Sequence, residues 1–112
     1  MSRALEALRF EIDELNHRIL ELLSERGRCA LAIAAHKRAA DLPIRDPRRE
    51  AELLEGLASR NPGPFDDGEV RAVFREIIEA SVRLMGDETR APERLMGGEK
   101  CDSALRVIST RL

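Results

Sequence analysis

Apolar side chains recur along the first third of the chain at alternating steps of three and four: Leu5, Leu8, Ile12, Leu15, Ile19, Leu22, Cys29 and Ile33, with Arg26 occupying the step between Leu22 and Cys29. Such spacing draws one narrow seam along a helix and predicts a partner helix beside it. Arg26 puts a guanidinium where a leucine is expected, and Arg9 and Lys37 border the same surface, so three cations edge an otherwise apolar seam. Ser2 can cap the start, Gly27 is the only glycine in the run, and no proline occurs before Pro43; one helix from about residue 3 to residue 40 is predicted. At about 1.5 Å per residue that helix is roughly 55 Å long, whereas a compact domain of this size is only about 35 Å across. The chain cannot cover its own first helix. The expected remedy is a second copy lying antiparallel along the exposed part of the seam, as an isologous dimer.

The remaining pattern predicts two shorter helices. Residues 41–46 form a connector that ends in Asp46-Pro47, an N-cap followed by a proline at the first helical position. The second helix carries Leu53, Leu54 and Leu57 as its stripe and stops at Asn61-Pro62-Gly63-Pro64. The third opens with the capping-box pattern Asp66-x-x-Glu69 and carries Val70, Val73, Phe74, Ile77, Ile78, Ser81, Leu84 and Met85. From Gly86 the periodicity fades into charged, glycine-containing sequence with a short β-prone run at residues 105–108. The expected division is a helical domain over 1–86 and a flexible C-terminal tail over 87–112, with a lid or the start of a fusion partner as other readings of the tail.

Composition sharpens the class. The 112 residues include no Trp or Tyr and are rich in Ala, Leu, Glu and Arg, which points to an all-α, three-helix chain. A formal net charge of -2 with both signs dispersed gives no reason to expect nucleic acid or an anionic membrane as partner, so any anion site is local. Cys29 on the seam and Cys101 in the polar tail form neither a disulfide framework nor a metal-ligand spacing. With no apolar signal region and no run long enough to span a bilayer, a cytoplasmic location is expected.

Polar residues interrupt the stripes at Arg26 in the first helix, Arg49 and Glu50 at the start of the second, and Ser81 in the third. Each has an ordinary explanation: an arginine beside a seam snorkels or meets a carboxylate, and a helical serine bonds back to its own helix. Together they say more. A bundle that aims Arg26, Lys37 and Arg49 inward requires anionic charge, and Asp46 and Glu50 supply little of it. Arg9 and Arg26 stand about 25 Å apart along one helix and cannot grip the same small molecule, but across an antiparallel pair they can. If Arg9 of one chain faces Arg26 of the other, the two-fold axis falls near His17 and Arg18 and the dimer holds two equivalent pockets, each suited to a small dicarboxylate.

Most catalytic classes find no residues here. His17 and His36 are not at metal-ligand spacing, and neither a nucleophile motif nor a glycine-rich phosphate loop is present. Catalysis by positioning and electrostatics remains, with a dianion held in a reactive shape and a lysine placed where negative charge develops.

Over residues 5–85 the chain resembles the all-helical AroQ-type chorismate mutases. The resemblance rests on an ordered set: Leu8-Arg9-x-x-Ile12-Asp13; Leu22-Leu23-x-x-Arg26; Ile33-Ala34-x-x-Lys37; Pro43-Ile44-x-Asp46-Pro47-x-Arg49-Glu50; and Phe74-Arg75-x-Ile77-Ile78-x-x-Ser81. It implies an intertwined helical homodimer that rearranges chorismate to prephenate by a pericyclic Claisen reaction, without cofactor or covalent intermediate. It also implies roles. Arg9 of one chain and Arg26 of the other clamp the substrate carboxylates, with Arg49 at the same anionic end. Lys37 donates to the ether oxygen, Glu50 and the region of Asp46 hold the ring hydroxyl, and Ser81 helps position a carboxylate.

The pattern departs from the family at Met85, where members commonly carry glutamine or glutamate as a second donor to the ether oxygen, and at Asn16, where an acid is frequent. A thioether cannot donate, and loss of one such donor costs on the order of a hundredfold in rate by analogy with oxyanion-hole deletions. Met85 thus keeps open a related enzyme on a chorismate analogue, an aminodeoxychorismate mutase or an isochorismate-pyruvate lyase. The tail keeps open a non-catalytic regulatory or docking module of a shikimate-pathway enzyme.

Overall fold

The computed structural model describes residues 2–86; the tail expected over 87–112 lies outside the described residues. Three helices follow in order, α1 (Arg3–Ala39), α2 (Pro47–Ser59) and α3 (Asp67–Gly86). The expected elements are therefore present, and their ends follow the capping chemistry. Ser2 accepts the Leu5 amide at 3.1 Å, Asp46 Oδ1 accepts the Arg49 amide at 3.1 Å, and Asp66 Oδ1 accepts the Glu69 amide at 2.8 Å.

The end of α1 is tighter than a plain connector. Asp41 takes a left-handed conformation (φ 55°), the Leu42 amide donates to Lys37 O at 2.7 Å, and the Asp41 amide donates to Arg38 O at 3.1 Å. That pair of bonds is a Schellman closure, with an aspartate at the position glycine usually takes. It turns the chain sharply and lays residues 42–46 back beside Lys37. At the other connection, Asn61 organises the turn: its Nδ2 donates to Phe65 O at 2.7 Å and to Asp67 Oδ1 at 3.0 Å, while its Oδ1 accepts the Gly63 amide at 3.0 Å. Gly63 has φ 77°, which only glycine adopts without strain.

Helix α3 packs on both α1 and α2. It meets α1 on the face of Gly27, Ala30 and Ala34, rotated roughly a quarter turn from the apolar seam at about 100° per residue. Small side chains there allow close approach, and a Cβ on Gly27 would stand 3.4 Å from Leu84 Cδ2. The resulting core is small: Ala30, Ala34 and Met85, with Ile33 and Ile44 packed against it, together with the buried Leu31, Ala58 and Ile78. Val73, expected on the buried stripe of α3, is instead exposed, because α1 and α2 occupy other faces of that helix.

Everything from residue 2 to residue 24 is exposed. The first half of α1 projects beyond the other two helices, giving principal extents of 57 × 32 × 26 Å with α1 included, and displays Leu5, Leu8, Ile12, Leu15, Ile19 and Leu22 to solvent. Ile19 is 59% exposed and Leu22 64%.

Candidate active site

The site is built where α1 and α3 run side by side. Arg26 and Lys37 are eleven residues apart, about three turns, so they share one face of α1 and stand about 16 Å apart along its axis. Both are half-buried, and both are braced by neutral groups. Arg26 Nη1 donates to Ser81 Oγ at 2.7 Å, and the Ser81 hydroxyl in turn donates to Ile77 O at 2.8 Å. Ser81 thus bonds back to its own helix, as helical serines do, and also presents a lone pair that aims the guanidinium. Lys37 Nζ donates to Ile44 O at 2.8 Å, a carbonyl brought there by the left-handed turn at Asp41. Among the described residues, neither Arg26 nor Lys37 meets a carboxylate.

Met85 lies one turn beyond Ser81 and is buried, 7% exposed, against Ala30 and Ala34. Ile44, whose carbonyl receives Lys37, packs on the same cluster, so the thioether belongs to the wall that supports the lysine end of the site. Arg38 closes this wall by donating to Met85 O.

The remaining residues singled out in the sequence are placed as follows. Asp46 is exposed, and its Oδ1 is engaged as the α2 cap; Arg49 is exposed in the first turn of α2. Glu50 is half-buried beside them. Arg9 lies on the projecting half of α1, about 25 Å from Arg26 along the helix, and is not brought to the other site residues within one chain.

Sequence reasoning missed Arg45 and Glu79. Arg45 Nη2 donates to Glu50 Oε1 at 3.1 Å, and its two terminal nitrogens also grip both oxygens of Glu79, Nη1 to Oε2 at 3.1 Å and Nη2 to Oε1. Hydrogen bonding to Arg45 holds the Glu79 carboxyl below its ordinary value, and the two carboxylates hold the Arg45 guanidinium still more firmly protonated. Nothing in the sequence joins residues 45 and 79. Only the antiparallel packing of α2 on α3, also seen in the Arg71–Glu55 pair at 3.1 Å, brings them together.

Three helices, two half-buried cations held by neutral partners, and a carboxylate clamped by an arginine define an all-helical protein with a cationic face between its helices. Residues 8–86 match the family model for type II chorismate mutase, and the chain belongs to that family. It is 41% identical over 85 residues to a bifunctional chorismate mutase/prephenate dehydratase of Stutzerimonas stutzeri, covering 71% of this chain and 23% of the relative. The chain thus spans about a quarter of the length of such bifunctional relatives. It is 40% identical over 57 residues to a chorismate mutase of Methanocaldococcus jannaschii, covering 51% of this chain and 58% of that one. A solved chorismate mutase (form II) of Thermus thermophilus superposes with a TM-score of 0.76 at 44% identity, over 77% of this chain and 98% of that one.

Proposed function

We propose that the chain is a chorismate mutase, converting chorismate to prephenate in the cytoplasm as an antiparallel homodimer with shared pockets. The observation that carries this reading is the pairing of Arg26 with a hydroxyl and of Lys37 with a carbonyl. A half-buried cation that meets no anion is costly, and a dicarboxylate guest offsets that cost. Neutral braces aim both groups without spending their charge.

In this mechanism the enzyme forms no covalent bond to the substrate. Arg26 binds one substrate carboxylate, with Arg49 near the same anionic end, and Arg9 of the second copy supplies the complementary cation. Lys37 donates to the ether oxygen as its bond to carbon breaks and negative charge grows there, which favours the transition state over the bound substrate. Glu50 and the region of Asp46 accept from the ring hydroxyl. The exposed seam from Leu5 to Leu22 supports the second copy, since an isologous antiparallel pairing covers it and carries Arg9 across to the partner's Arg26.

The test is incubation of purified protein with chorismate, with the product identified by mass and spectrum. Prephenate is expected, and turnover no faster than in buffer would overturn the proposal. Met85 favours a second reading, because its buried thioether stands where the family commonly has an ether-oxygen donor. On that reading the chain acts on a chorismate analogue, and the amino and iso analogues belong in the same assay.

A further inference from the structure

We infer that Arg45 is a positioning residue that aims the Glu50 carboxylate at the substrate's ring hydroxyl, and that Glu79 holds Arg45 in place to do so. The inference rests on the mutase reading above and assigns two residues that reading does not use.

Three features of the geometry converge. First, Arg45 immediately precedes Asp46, the α2 cap, so its backbone is fixed by the Schellman turn on one side and the helix start on the other. Second, its guanidinium bridges two carboxylates on different helices, Glu50 in the first turn of α2 and Glu79 on α3. Bidentate capture by Glu79 locks the plane of the guanidinium, and the locked Nη2 fixes Glu50 Oε1 at 3.1 Å. Third, the contact uses Oε1 and leaves Glu50 Oε2 outside it, as an acceptor for a hydroxyl.

The arrangement also spans the site. Glu79 lies two residues before Ser81, and Ser81 holds Arg26. Arg45 therefore ties the hydroxyl-accepting end of the pocket to the segment of α3 that braces its carboxylate-binding end. An ordinary surface ion pair contributes little and joins two groups. This one shares a single guanidinium between the catalytic face of α2 and a helix that already positions another site residue.

The experiment is a double-mutant cycle on kcat/KM for chorismate, using Arg45→Ala, Glu50→Gln and both together, with Arg45→Lys and Glu79→Gln alongside and thermal melts of each. If Arg45 acts through Glu50, Arg45→Ala lowers kcat/KM about 10- to 100-fold, as expected for loss of a charge-assisted hydrogen bond. The double variant is then no worse than Glu50→Gln alone. Lysine at position 45 restores part of the loss, because it keeps the charge but cannot fork between two carboxylates. Glu79→Gln, which leaves the Glu50 contact in place, gives a smaller loss, and that loss vanishes when Glu79→Gln is combined with Glu50→Gln in a second double variant measured in the same series. Losses that multiply in the double variant, or that follow the melting temperature rather than Glu50, would overturn the inference while leaving the mutase reading intact. A wild-type chain with no turnover would remove both.

Discussion

Arg26 and Ser81 are 55 positions apart in the chain and share a 2.7 Å hydrogen bond, in which the serine hydroxyl accepts from the guanidinium while donating to Ile77 O at 2.8 Å. The bond fixes a cation without neutralising it. Ser81→Ala is expected to leave the fold intact at a cost of about 1 kcal/mol, the net value of one such bond, while lowering kcat/KM about tenfold because Arg26 loses its aim. Equilibrium unfolding and steady-state kinetics on the same variant check the two effects. An unchanged kcat/KM would show that Arg26 needs no brace.

Arg9 and Arg26 cannot meet within one chain, since about 25 Å of α1 separates them. Arg9→Ala and Arg26→Ala chains are each expected to be nearly inactive as homodimers. When the two are mixed and allowed to exchange, half of the dimers carry both kinds of chain and one of their two pockets keeps both arginines. Turnover on the order of a quarter of wild type is then expected, from the symmetry of the isologous pair. A mixture that exchanges subunits and stays inactive would rule out the shared pocket.

Met85 sits in the wall behind Lys37 rather than in solvent. Met85→Gln places an amide donor at this wall and is expected to raise chorismate turnover about tenfold or more, part of what one transition-state donor supplies. Burial of the amide against Ala30 and Ala34 costs about 1–3 kcal/mol unless the donor is used, so bound dicarboxylate should stabilise this variant more than wild type. Thermal melts with and without a dicarboxylate transition-state analogue, read beside initial rates, check both parts.

Asp41 occupies a left-handed position at the Schellman closure. Asp41→Gly removes the Cβ that disfavours this conformation, and glycine's greater freedom in the unfolded chain offsets part of the gain; a net stabilisation of about 0.5 kcal/mol is expected. The denaturant midpoint measures it. A lower midpoint would mean that the aspartate side chain holds the turn.

Glu79 titrates below the ordinary glutamate value of 4.5 because it accepts from Arg45. Its folded-state value is the lower one, so the stabilisation is complete above the unfolded value and is lost as pH falls through the folded one. Stability measured from pH 6 down to pH 3 is expected to fall less steeply in Glu79→Gln than in wild type. Identical slopes would remove the Arg45 pair from the acid response.

Much of this architecture is legible along the chain because it depends on local rules. Ser2, Asp46-Pro47 and Asp66-x-x-Glu69 mark helix starts through side chains that reach only three residues. The seam of α1 announces an uncovered apolar face because its period and length are both local quantities, and that face is exposed as expected. Arg26, Arg49, Glu50 and Ser81 stand out for the same reason, as polar residues that interrupt apolar stripes, and Lys37 as a cation bordering the seam.

Other features exist only once the helices pack. The sequence could not say that α3 would lie on Gly27, Ala30 and Ala34 instead of on the seam, because that choice depends on how closely two particular surfaces approach. Nor could it show that Lys37 would be braced by the carbonyl of Ile44, which requires the left-handed turn at Asp41. The Arg45 bridge to Glu50 and Glu79 is the fullest case: its members lie on a connector and two helices, and a hydrogen bond depends on tenths of an ångström that no spacing along a chain encodes. Periodicity by itself determined which residues form helices and which of their faces are apolar; tertiary packing decided which charges meet across helices, because electrostatic contacts fall off over distances much shorter than the helices that carry them.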